Sequence, residues 1–188
     1  ALPSGHFYVT NDAGKKNSNW EKLFAMRRSS VVFYHITARQ SKVVKDKLAY
    51  ANGLAIKGNT LYVSTTQKKD LLEMYIADDG SLTLSRKFKG QKGMDNLTIA
   101  GNWLFLPAHP KFLKFIGHMR DASKYSPAEV FVYRLDNGAY ARVFTDSGQN
   151  ISAPATALYY KGFLYIGQVF NTHLLKVPLV MESVSFTE

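Results

Sequence analysis

No cysteine occurs in the 188 residues, and tryptophan, methionine and proline are few, at 2, 5 and 6. The missing thiols exclude a disulfide within this chain, a cysteine-ligated zinc and a cysteine nucleophile. Acidic side chains are also scarce: 14 Asp and Glu against 24 Lys and Arg leave a formal charge of +10. No apolar run approaches the roughly 20 residues of a membrane-spanning helix. The opening ALPSGHFYVTND has neither a basic n-region nor an apolar h-region, so it does not read as a signal peptide. What is present is a folding composition, 46% hydrophobic and 20% charged, outside the disordered range. The basic residues are scattered over turns and alternating segments, with no zinc-finger, RNA-recognition or helix-turn-helix pattern beside them. They read as a solvated basic surface, and no nucleic-acid partner is expected.

Self-similarity organises the chain. Four stretches place an apolar residue four positions before a glycine and an alternating apolar run after it: ALPSGHFYVTND (1–12), LAIKGNTLYVST (54–65), LTIAGNWLFLPAH (97–109) and LYYKGFLYIGQVF (158–170). Their glycines, Gly5, Gly58, Gly101 and Gly162, stand 53, 43 and 61 residues apart. Each copy predicts a short strand, a tight turn and a second strand. Between copies, SSVVFYHIT with KVVKD, LLEMYIADDGSLTLSRKF and AEVFVYRLDNGAYARVF each predict a second hairpin. Asp79-Gly80 and Asn137-Gly138 are its turn signals. After the fourth copy one strand, HLLKVPL, remains.

Four strands per unit of about 43 residues is the pattern of an all-β chain built as a β-propeller. A β-sandwich does not predict a glycine at this period. The blades fall at approximately 1–47, 52–89, 95–146 and 155–180, in one propeller segment over 1–188 with the last blade incomplete. The chain opens on the first strand of one blade and stops on the third strand of another. It is therefore expected to be part of a larger ring, since a closed four-bladed ring would keep an open edge. Two insertions, 13–28 and 110–127, mix basic and aromatic residues. They read as short amphipathic helices, either packing over loop ends or touching a membrane surface.

Hairpin geometry then gathers the polar residues. In an antiparallel hairpin, the start of the first strand and the end of the second lie at the same end, opposite the turn. That end holds Asn11 and Asp12 after copy one, Asn52 before copy two, Asp95 and Asn96 before copy three, and His109 after it. Amide carbonyls, carboxylates and one imidazole make an oxygen-rich set, suited to a hard cation such as Ca²⁺ and not to zinc. The alternative is that each Asn or Asp only caps a strand end in an Asx-turn. Asp12 and Asp95 supply at most two negative charges, so a further acid is expected.

At these residues the sequence resembles the paraoxonase/arylesterase family of six-bladed propellers. HFYVTND, YANGLAI, MDNLTIAGNWLFLPAHP and YYKGFLYIGQVF stand in the family's order, and the resemblance covers nearly the whole chain. It implies a catalytic Ca²⁺ held by Asn11, Asn52, Asp95 and Asn96, and a second, structural Ca²⁺ with Asp12 as one ligand. His109 matches the family's active-site histidine, and Tyr50 and Phe170 fall among its substrate-pocket aromatics. The family's first two blades, with an acidic pair and further histidines, are not in this chain. A companion chain is expected to carry them, or a homodimer to cover the open edges. By the same resemblance the protein is expected to be secreted or to reside in an endomembrane lumen.

The implied chemistry is hydrolysis of lactones and aryl esters, with Ca²⁺ as Lewis acid and a histidine as base. His109 is the candidate for that base or for orienting substrate. His6, His35, His118 and His173 are read as structural or surface residues. Two rival readings are a non-catalytic propeller scaffold and a cyclase or isomerase of natural products built on the same pocket.

Overall fold

The computed structural model describes residues 1–12, 14 and 26–187. The described residues form four small antiparallel meanders, the building unit of a β-propeller. It divides into two compact units, Ala1–Gly90 and Gln91–Glu188, each with two sheets.

In the first unit, β1 (Phe7–Asn11), β2 (Ser29–His35) and β3 (Gln40–Leu48) form one sheet in chain order. The second sheet is β4 (Ala51–Lys57), β5 (Thr60–Thr65), β6 (Asp70–Ile76) and β7 (Leu82–Lys89). Burial follows strand position. Val31 and Phe33 of β2, Leu61 and Val63 of β5, and Leu72, Met74 and Ile76 of β6 join one core across the two sheets. The period of two in each run puts these side chains on one face. Outer strands β3 and β7 are mostly exposed and carry Lys42, Lys45, Lys47, Arg86, Lys87 and Lys89. Charge on an outermost strand discourages edge-to-edge pairing. Much of the excess basic charge sits here. Arg86 also pairs across the ladder with Glu73 at 2.7 Å.

In the second unit, β8 (Thr98–Ala100), β9 (Trp103–Ala108), β10 (Ala128–Arg134) and β11 (Tyr140–Asp146) form a four-stranded sheet. The last sheet is β12 (Pro154–Tyr160), β13 (Phe163–Gln168) and β14 (Leu175–Pro178). Phe105, Val130 and Val132 pack with Ala157, Leu164 and Ile166 in the shared core. One helix, α1 (Phe112–Arg120), occupies the expected 110–127 insertion. Asp121 closes it, its N–H donating to the carbonyls of Gly117 and His118. Among the described residues no helix is long and apolar enough to cross a membrane.

Three of the four repeat turns form as predicted: Gly58, Gly101 and Gly162 take φ of +56°, +59° and +79° between paired strands. The first copy differs. Residues before Gly5 form no strand; the Leu2 N–H bonds to His6 O and the Gly5 N–H to Leu2 O. A closed turn with its own hydrogen bonds, containing Pro3, has no free edge for a ladder. That sheet has three strands among the described residues, against the four expected. A bridge unforeseen in the sequence joins Thr187 to Tyr140 of β11. Within the 13–28 insertion, residues 13 and 15–25 lie outside the described residues.

Candidate functional site

In the second unit, the segment before β8 runs antiparallel to the end of β9. The Asp95 N–H donates to Pro107 O at 3.0 Å, and the His109 N–H donates to Gly93 O at 2.8 Å. Met94 and Ala108 face each other in a bridge between them. This register sets the Asp95 carboxylate beside the His109 ring, with Oδ2 3.1 Å from Nε2. Both residues are buried, at 8% and 2% exposure. With the carboxylate accepting, Nε2 carries the proton, and Nδ1 holds the lone pair. Nδ1 is buried with no hydrogen-bond partner among the described residues.

Gly93 makes the register feasible. A Cβ there would stand 2.0 Å from the His109 carbonyl oxygen and 2.7 Å from its carbon, and φ is +75°. Only glycine allows both the close approach and the left-handed backbone. Asn96, the next residue after Asp95, is exposed; its backbone and side-chain amides both donate to Ala155 O, at 3.3 and 2.9 Å.

The first unit holds the other candidates. Thr10 Oγ1 donates to Asn52 O at 2.8 Å, which ties the end of copy one to the start of copy two. Asn11 and Asp12 follow directly, Asn11 exposed and Asp12 half-buried. The Asn52 amide donates to Thr66 Oγ1 at 3.3 Å, and the Thr66 N–H donates to Tyr50 O at 3.0 Å. Tyr50, Asn52 and Thr66 thus form one cluster around the entry of β4, with Tyr50 at φ +59°. Among the described residues, no three His, Asp or Glu side chains converge to hold a metal ion.

Around His109 lies an aromatic wall. The Phe115 ring of α1 is 4.3 Å from the imidazole, and Phe170 is 5.9 Å from Phe115. His118, also on α1, is 1% exposed and lies 5.7 Å from Phe170. His118 Nδ1 donates to Lys124 O at 3.0 Å. Its neighbours explain the burial: Phe115 and His118 are three apart and share the inward face of the helix. His6 and His35 stack on each other at 4.0 Å, and His173 is exposed with Nε2 donating to Asn150 O.

The sequence reading overlooked Gly93 and Phe115 and took His118 only as a structural or surface residue. For Phe115 and His118 a signal existed, the i, i+3 pair in an amphipathic insertion. For Gly93 only a glycine two residues before Asp95 hinted at it, with nothing to say which backbone it faces.

An arylesterase family model matches residues 1–176. The chain is 26% identical over 189 residues to the human protein Serum paraoxonase/arylesterase 1, covering 93% of this chain and 51% of that protein. The rat protein of the same name is 25% identical over 179 residues, with 89% and 49% covered. The chain thus spans about half the length of the curated relatives it matches. In fold it is similar to the crystal structure of the computationally designed Ika4 protein, with TM-score 0.53, 10% identity and 80% of each chain covered. The match to the family model over nearly the whole length, on segments that include Asp95, Asn96 and His109, establishes that the chain belongs to the arylesterase (paraoxonase) family.

Proposed function

We propose that the protein is a calcium-dependent hydrolase of lactones and aryl esters, with His109 as base and Asp95 as the group that orients it. The observation that carries this reading is the buried Asp95–His109 pair at 3.1 Å, whose remaining ring nitrogen has no partner among the described residues. Asp95 holds the proton on Nε2 and leaves Nδ1 as the only nitrogen able to take one from water. As Nδ1 is protonated, the adjacent carboxylate stabilises the imidazolium, the role of the third group in a nucleophile–base–orienter arrangement. No serine or cysteine nucleophile is invoked; an activated water attacks the ester carbonyl.

The donor set suits a hard cation. Asn52 and Asn96 each commit their amide N–H to a neighbour, and Oδ1 of each stays without a hydrogen bond among the described residues. Neutral amide oxygens with Asp95 are the ligand types Ca²⁺ prefers. Asn11 and Asn52 of the first unit and Asp95 and Asn96 of the second are the candidate calcium ligands, and Asp12 is the candidate ligand of a structural ion. When bound, calcium supplies Lewis-acid polarisation of the ester carbonyl. Since the relatives are about twice as long, the remaining blades and ligands are proposed to come from a companion segment or chain. Secretion is proposed from the same relatives, both of which are named as serum proteins.

The test is lactone and aryl-ester hydrolysis by the full protein, its His109→Gln variant and the protein in excess EDTA. Loss of general-base help should lower turnover by about 10²–10⁴-fold. A His109→Gln rate within about tenfold of wild type would demote His109 from base to substrate positioning. Full activity in EDTA would remove calcium from the reading.

A further inference from the structure

His109 Nδ1 is the nitrogen that must reach water, yet it is sealed from solvent and has no partner among the described residues. Native structures seldom leave a buried polar atom unpaired without a reason. The inner face of α1 packs on this ring. Phe115 lies over the imidazole at 4.3 Å with 32° between the ring planes, and Phe112 continues the stack 6.0 Å from Phe115. Phe115 leans on Phe170, and Phe170 meets His118 edge-on at 65°. The His118 Nδ1–H···O bond to Lys124 then fastens the last turn of the helix to the segment that leaves it. The opposite face of α1 is free: Leu113 is 77% exposed and Met119 50%. A nine-residue helix closed over a basic nitrogen by ring contacts is an element that can open locally.

We propose that α1 is a latched cover over His109, in which Phe115 seals Nδ1 and His118 is the positioning residue that keeps the cover shut. His118 acts at a distance, through Phe170 on one side and Lys124 O on the other. Substrate and water reach Nδ1 only when the cover lifts. A flat apolar group replacing Phe115 against the imidazole would then meet Phe170, so the uncovered site favours an ester with an aryl group. The purpose of the cover rests on the hydrolase reading; its existence does not.

Carbethoxylation of histidines at one fixed pH, with each modified peptide resolved by mass spectrometry, tests it on the full chain. Wild-type His109 should react at least about tenfold more slowly than exposed His173, as expected for a site reactive only in a minor open state. His118→Leu should raise the His109 rate by about tenfold with His173 unchanged. His118→Asn keeps an N–H donor for Lys124 O and should restore protection to within about threefold of wild type. If wild-type His109 reacts as fast as His173, no cover exists. If His118→Leu leaves His109 protected, or His118→Asn is as reactive as His118→Leu, the latch assignment is wrong. Should all histidines accelerate together in His118→Leu, that variant has unfolded, and Phe115→Leu decides. It keeps apolar bulk but removes the stacked ring, and an unchanged His109 rate would overturn the proposal. Ester assays on the same proteins separate the two ideas: no hydrolysis with protection intact would sink the enzyme reading and leave the cover standing.

Discussion

Replacing Gly93 by alanine perturbs the junction that brings Asp95 to His109. The new methyl carbon would sit 2.0 Å from His109 O and 2.9 Å from His109 N, both backbone atoms that no side-chain rotation can move away. The left-handed φ of +75° adds roughly 1–2 kcal/mol for any residue with a Cβ. Relief of the clash requires residues 93–95 to separate from 107–109. That puts at risk the His109 N–H···O Gly93 and Asp95 N–H···O Pro107 bonds. Each costs about 1–3 kcal/mol if its buried partner is left unsatisfied. The expected loss is about 3–8 kcal/mol, a large part of a typical stability of about 5–15 kcal/mol. Gly101→Ala is the matched control, because Gly101 also has a positive φ, +59°, but nothing lies within 4 Å of its Cβ position. It should lose only the backbone contribution, roughly 1–2 kcal/mol. Urea denaturation of both variants measures the difference, and the Gly93 variant should also lose ester hydrolysis. Two variants within about 1 kcal/mol of each other would refute the close approach and with it the account of how His109 is placed.

Tyr8→Phe removes a buried hydroxyl that donates to Gly80 O at 3.0 Å, and thermal or urea unfolding should show a loss of about 0.5–1.5 kcal/mol. An unchanged midpoint would mean that this bond contributes nothing. Burial is the largest single influence on Asp146 and raises its carboxyl, but hydrogen bonds from Asn150, Gly148 and Ile151 together hold it below the usual range. A carboxyl lowered by folding adds stability above its unfolded value, and that stability is lost as pH falls through the folded value. Acid unfolding should therefore be less steep in Asp146→Asn than in wild type, and identical acid limbs would contradict the assignment. If calcium binds as proposed, Asn52→Ala and Asn96→Ala should each weaken its binding in titration calorimetry of the full protein, because each removes a proposed neutral oxygen ligand. Undiminished affinity in both would return these residues to the role of turn caps.

The strand repeat was legible because its causes are local. Alternating apolar residues at a period of two, interrupted by Gly58, Gly101 and Gly162, specify hairpins wherever they occur, and the sheets follow. The same logic overreached at Gly5, where Pro3 and a closed turn replaced the expected strand. Hairpin ends also make Asp95 and His109 candidates for one neighbourhood from the sequence alone. Their 3.1 Å contact, however, depends on a bridge between Met94 and Ala108 and on a glycine facing another backbone. Neither leaves a periodic trace. His118 is the clearest case of what tertiary structure alone decided. On its own helix its i, i+3 spacing puts it on the face of Phe115, but nothing in that string says what covers the face. Phe170 comes from the segment after β13, more than fifty residues away, and its packing against α1 turns a surface histidine into a buried one. Periodicity can state which residues share a face, but which distant residue covers that face depends on long-range packing that sequence spacing does not encode.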